Sequence, residues 1–162
     1  MSADVVAVVA FGANLGDRGE TIQAAADALA ATPGIDLVAL APVIETPALR
    51  PYGIDRDAPA YLNTVAVLHT TLTPAALHAV LRGLEDAHGR VRAEHWGDRT
   101  LDLDLIVFGE LVQDDPELTI PHPRAHERDF VLRPWLVADP AAVLPGRGAV
   151  DALLAELDGG AV

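Results

Sequence analysis

The chain has no cysteine among its 162 residues, and none of its 11 basic residues is a lysine. The first absence excludes a disulfide, a thiol nucleophile and a zinc–thiolate centre. The second excludes a Walker-type phosphate loop, a Schiff base and a lysine general base. Aromatic residues are scarce, at 4%, and positive charge is outweighed to a formal net charge of -13. A duplex-binding protein carries a basic face, so this balance opposes nucleic acid as a partner. The opening "MSADVVAVVAFGANLG" has no basic leader, and its apolar run is too short to span a bilayer. The expectation is a cytoplasmic, untargeted protein with no membrane or nucleic-acid partner. What the chain does have is 51% hydrophobic residues, which argues against global disorder. Its length is that of one domain, here taken as 1–162.

Asp4 to Phe11 is a β-branched apolar run and reads as a buried strand. Asp17 is placed to cap a helix reaching Ala31, which Pro33-Gly34 ends. Ile35 to Thr46 reads as a second strand bent near Pro42, because proline lacks a ladder donor. Residues 47–60 hold three prolines without a clear period, and a connection of that length is usually functional. Tyr61 to Leu72 is a third strand. Thr73-Pro74 opens a second helix with Leu77, Val80, Leu81 and Leu84 inward. Leu101 to Phe108 is a fourth strand, with a turn at Gly109-Glu110 and a return strand at Leu118 to Ile120. Short helical pieces follow around Phe130 to Val137 and Val150 to Leu157. The order strand–helix–strand–strand–helix–strand predicts an α+β, ferredoxin-like split βαβ sandwich. Its sheet is mostly antiparallel, helices cover one face, and a C-terminal helical segment is appended.

The stretch "WGDRTLDLDLIVFG" carries the chemistry. Alternate strand residues share a face about 6.5–7 Å apart, so Leu101, Leu103 and Leu105 point one way and Asp102 and Asp104 the other. Two such carboxylates suit a pair of hard cations, and oxygen-only ligands favour magnesium over zinc. Alternating apolar and acidic residues equally describe a half-solvated strand. Four arginines, Arg82, Arg90, Arg92 and Arg99, cluster just before the pair in an otherwise acidic chain. Arginine beside acidic metal ligands matches a polyphosphate such as ATP. Pairing of the same arginines with Glu94, Asp98 or Glu85 on the surface is the alternative.

With "YLN" upstream and "IPHPRAHERDFVL" downstream, "GRVR…WGDRTLDLDL" closely resembles the 6-hydroxymethyl-7,8-dihydropterin pyrophosphokinases of folate biosynthesis. "FGANLGD" and "ETPAL" resemble that family's opening and second-strand end, in family order. The resemblance implies transfer of diphosphate from ATP to the pterin's hydroxymethyl group with release of AMP. Asp102 and Asp104 would hold two Mg2+ ions. Arg90 and Arg99 match catalytic, phosphate-contacting positions, and Arg92 and Trp96 belong to the same closing loop. Glu85, Leu105, Thr119, His122 and Arg128 match ATP-contacting positions. Thr46, Pro47, Leu49, Tyr61, Asn63, Trp96 and Phe130 match the pterin pocket. The partners implied are these two small molecules, and the protein is expected to act as a monomer.

The chain also departs from the family pattern. The segment between Arg92 and Trp96 is one residue short, and Asp98 stands where proline is common. Ala13 replaces a serine, Pro123 an aromatic residue, and Arg82 a neutral polar residue. Glu117 occupies a position that is often basic. Two rival readings use the same features. A polymerase palm or nucleotide cyclase would also place paired aspartates on a strand, but would release pyrophosphate. A small-molecule sensor on this fold would need a pocket without the acidic pair.

Overall fold

The computed structural model describes residues 4–13, 18–46, 48–50, 53–55, 60–88 and 101–159, with 18, 48–50 and 53–55 described by their backbone. Four strands and two helices form the framework. They are β1 (Val5–Ala13), α1 (Arg18–Ala30), β2 (Ile35–Leu40), β6 (Tyr61–Thr70), α2 (Pro74–His88) and β7 (Asp102–Phe108). Between β2 and β6 lie β3 (Ile44–Thr46), β4 (Ala48–Arg50) and β5 (Gly53–Asp55). The chain ends with α3 (Asp129–Ala138), β8 (Val143–Leu144), β9 (Gly148–Ala149) and α4 (Val150–Gly159).

The main sheet runs β2-β6-β1-β7, and every pairing in it is antiparallel. Both split βαβ units are therefore present, as the element order predicts. Pro42 does bend the second strand, and β2 and β3 pair with β6 on either side of the break. Two bonds hold the bend. Ala41 N–H donates to the Val65 carbonyl at 3.0 Å, and the Thr64 hydroxyl donates to the Ala41 carbonyl at 2.6 Å. Thr73 caps α2 by accepting from Ala76 N–H at 3.1 Å, with Pro74 in the first turn.

The sheet is covered on both faces. Ala7, Val9, Phe11, Leu68, Leu103 and Leu105 pack against Ile22 and Leu29 of α1 and Leu77 and Leu81 of α2. Val8, Val65, Val67, Ile106 and Val107 pack against Leu132 and Trp135 of α3 and Val150 and Leu154 of α4. As expected, the two crossover helices share one face, and the appended C-terminal segment covers the other as a third layer. The reason lies in β1 and β6. Their central residues are apolar at successive positions, so neither face can be left in water.

A β-bulge modifies β7. Val8 pairs with Val107 but Val9 with Leu105, which leaves Ile106 as the extra residue. Ile106 and Val107 consequently share the α3 side, while Leu105 and Phe108 join the α1–α2 side. The return strand expected at Leu118 to Ile120 does not form against β7. Instead Gln113 and Ile120 exchange backbone hydrogen bonds of 2.7 and 2.9 Å, closing a local loop. The chain then meets β7 again where His122 N–H donates to the Ile106 carbonyl at 2.9 Å. The connection after β3 holds an element that its prolines concealed, the β4–β5 pair.

Candidate active site

On the α3 side, the helical layer covers the end of the sheet that carries Val8, Val67 and Ile106. At the other end the same face presents Ala10 and Gly12 of β1, Tyr61 and Asn63 of β6, and Asp102 and Asp104 of β7. Register aligns them, because Gly12 is opposite both Asn63 and Asp102, and Ala10 is opposite Asp104. These residues floor a cavity of about 470 Å³, with Phe11, Thr46, Glu127, Arg128, Asp129, Phe130 and Val131 completing its lining.

Gly12 sets the depth of the floor. A Cβ there would lie 3.2 Å from Asn63 Oδ1, 3.8 Å from Tyr61 Cδ2 and 3.9 Å from the Asp102 Cβ. Any side chain at position 12 would stand between the acidic pair and the Tyr61–Asn63 pair. A glycine inside a strand is a known mark of close approach, and here that signal lay in "VVAVVAFGA".

The polar groups are oriented by specific contacts. Asn63 is buried and donates from Nδ2 to Thr46 Oγ1 at 2.7 Å, which fixes its carboxamide across β3 and β6. Arg128 sits at the entry to α3 with an extended backbone, φ -112° and ψ 99°. Its Nη1 is 3.6 Å from Asp104 Oδ2, and its guanidinium carbon is 5.7 Å from the centre of the Phe130 ring, within cation–π range. His122 Nε2 is 3.9 Å from the same Asp104 oxygen. Burial pushes His122 below the ordinary histidine value. The Asp104 carboxylate opposes that shift, and Arg128 and Arg124 add to it.

The structure brings Thr46, Tyr61, Asn63, Asp102, Asp104, Arg128 and Phe130 to this one cavity, with His122 beside it. Leu105 lies elsewhere, its side chain buried on the α1–α2 side. Thr119 is in the loop after β7 and donates to the Asp115 carbonyl at 2.9 Å. Glu85 is buried on α2, where Oε2 accepts from Leu103 N–H at 2.8 Å and Oε1 lies 3.0 Å from Arg82 Nη1. Burial raises its carboxyl above the ordinary value; the Leu103 N–H and Arg82 oppose the shift, and Asp102 and Asp104 reinforce it. Arg90, Arg92, Trp96, Arg99 and Pro47 lie outside the described residues, and Leu49 is described by its backbone in β4.

Among the described residues, no three His, Cys, Asp or Glu side chains converge as a metal-holding group. The Asp102–Asp104 pair offers oxygen ligands from one strand face at the cavity floor. That donor set fits magnesium, which keeps waters and takes phosphate oxygens alongside one or two carboxylates. No helix among the described residues is long and apolar enough to cross a membrane.

A family model described as 7,8-dihydro-6-hydroxymethylpterin-pyrophosphokinase matches residues 8–140. A 2-amino-4-hydroxy-6-hydroxymethyldihydropteridine pyrophosphokinase of Pseudomonas aeruginosa is 42% identical over 147 residues, covering 91% of this chain and 88% of the relative. One from Methylorubrum extorquens is 38% identical over 152 residues, covering 94% and 93%. Among solved structures, an HPPK-DHPS crystallised in complex with substrates superposes with a TM-score of 0.75 at 12% identity. That match covers 98% of this chain and spans 44% of the solved one, and at this identity it bears on the fold alone.

Proposed function

The chain belongs to the 7,8-dihydro-6-hydroxymethylpterin-pyrophosphokinase family, and from that premise we infer that it transfers diphosphate from ATP to 6-hydroxymethyl-7,8-dihydropterin in folate biosynthesis. The pterin's hydroxymethyl oxygen forms a bond to the β-phosphorus of ATP. The bond from that phosphorus to the α-bridging oxygen breaks, AMP leaves, and the hydroxyl proton is lost. The observation that carries this reading is the meeting of Asp102 and Asp104 with Tyr61, Asn63 and Phe130 around one cavity.

Each residue has a role in the proposal. The pterin ring lies between the Tyr61 and Phe130 rings, where a flat heterocycle gains stacking contact. Asn63, oriented by Thr46, offers its Oδ1 to the pterin's edge. Pro47 and Leu49 border the ring. Arg128 and His122, beside Asp104, receive phosphate oxygens. Leu105 and Thr119 serve the nucleotide side partly through their backbone, Glu85 borders it from α2 with its carboxylate held by Leu103 N–H and Arg82, and Arg90 and Arg99 stabilise charge on the migrating diphosphate. Arg92 and Trp96 belong to a loop that closes over both substrates and excludes water. Two magnesium ions, held by Asp102 and Asp104, would neutralise phosphate charge and acidify the attacking hydroxyl. We further propose that residues 1–162 act as one domain, as a cytoplasmic monomer.

Incubation with ATP, the hydroxymethyl pterin and magnesium should give AMP in step with pterin consumption, measured by chromatography of the nucleotides. Asp104→Ala should abolish turnover. Release of pyrophosphate, or a nucleotide product indifferent to the pterin, would overturn the assignment.

A further inference from the structure

β7 is an edge strand, and its Leu103 lies between the two cavity aspartates. Leu103 is opposite Phe11 of β1, and both of its backbone groups bond to α2 side chains. Leu103 N–H donates to Glu85 Oε2 at 2.8 Å, and the Leu103 carbonyl accepts from Arg82 Nη2. Arg82 Nη1 and Glu85 Oε1 close the ring at 3.0 Å, one helical turn apart. The two side chains thus do what a neighbouring strand would do, satisfying a donor and an acceptor on one residue of an open edge.

We propose that Arg82 and Glu85 are positioning residues that clamp the Leu103 backbone and so fix the two flanking carboxylates at their metal-holding separation. This rests on the functional reading given above. Several observations carry it. The clamp grips the residue flanked by Asp102 and Asp104, with no intervening residue on either side to absorb movement. Glu85 is 7% exposed, so its carboxylate is shielded from competing water, while the Arg82 side chain covers it from outside and stays 43% exposed. Among the described residues, Arg82 Nε is buried without a hydrogen-bond partner. The guanidinium is therefore seated by its two terminal nitrogens, both engaged in the clamp.

Sign separates this role from simple electrostatics. Loss of a cation near an acidic site tightens cation binding by Coulomb's law. Loss of a clamp loosens it. The experiment measures Mn2+ binding by electron paramagnetic resonance with a non-hydrolysable ATP analogue present, in wild type and Arg82→Met. The expected result is binding weakened about tenfold in Arg82→Met, partial recovery in Arg82→Lys, and pterin affinity within about twofold throughout. Unchanged or tighter Mn2+ binding in a folded Arg82→Met protein overturns the clamp. A second measurement needs no variant. The Leu103 amide of the wild-type protein should exchange its hydrogen far more slowly than a solvent-facing edge amide, and fast exchange overturns the proposal. Wild type that binds no Mn2+ with the nucleotide, or makes no AMP from the pterin, would instead refute the functional reading beneath it.

Discussion

Charge placed around the cavity explains most of what single residues do here. Arg90 and Arg99 are assigned to the charge that develops on the migrating diphosphate. Replacing either with alanine should slow turnover roughly 10²- to 10⁴-fold, the usual loss for one electrostatic stabiliser. Single-turnover kinetics with saturating ATP would measure it. Glu85 makes a prediction in pH. Its raised carboxyl value means that, just above the ordinary glutamate value, the folded state binds more protons than the unfolded chain. Stability must then fall as pH rises through that window. Glu85→Gln lacks this titration, so its urea midpoint should gain on that of wild type across the same interval. Residue by residue, the sequence was readable where chemistry and period coincide. Alternation alone puts Asp102 and Asp104 on one face. Gly12 was equally visible as a break in a β-branched run, although it carried no assignment. Glu85 had a signal too. It continues the row Leu77, Leu81 at a spacing of four, and a carboxylate on such a row marks a buried acceptor in need of a partner.

Elements hold the site at its correct depth. β3 reaches the cavity through Thr46, and it keeps its place because the bend before it is bonded to β6. Thr64→Val keeps the shape but leaves the buried Ala41 carbonyl without its donor. That should cost about 1–3 kcal/mol in urea unfolding, the usual penalty for an orphaned buried acceptor. Pterin affinity should drop with it, because Thr46 orients Asn63. The bend itself was legible from Pro42. The β4–β5 pair was not, since its three-residue strands lie among prolines that mask any alternation. The return strand at Leu118 to Ile120 failed for a related reason. An apolar triplet after a turn fits either a long hairpin or a local closure, and Gln113 decided for the closure.

Across the whole molecule, two apolar clusters share one sheet. The α3-side cluster draws Leu144, Val150 and Leu154 from beyond residue 140. Each buried aliphatic of this kind stabilises by roughly 1.5–3 kcal/mol, so losing all three approaches the total stability of an ordinary domain. A chain ending at Pro140 should therefore lose cooperative unfolding and bind a hydrophobic dye strongly, read by calorimetry and fluorescence. The three-layer arrangement was only partly readable. Apolar residues at successive positions in β1 announced a strand buried on both faces, but periodicity does not say which later segment covers it.

The extra residue in β7 has a further consequence. It behaves like a dislocation in a crystal row, taking up one unit of mismatch so that both ends stay aligned with their neighbours. Deleting Ile106 would leave every remaining side chain of the strand on the face it now occupies. The strand therefore has slack at the bulge, four positions from Asp102, and a change of length there need not turn the carboxylates into the greasy interior.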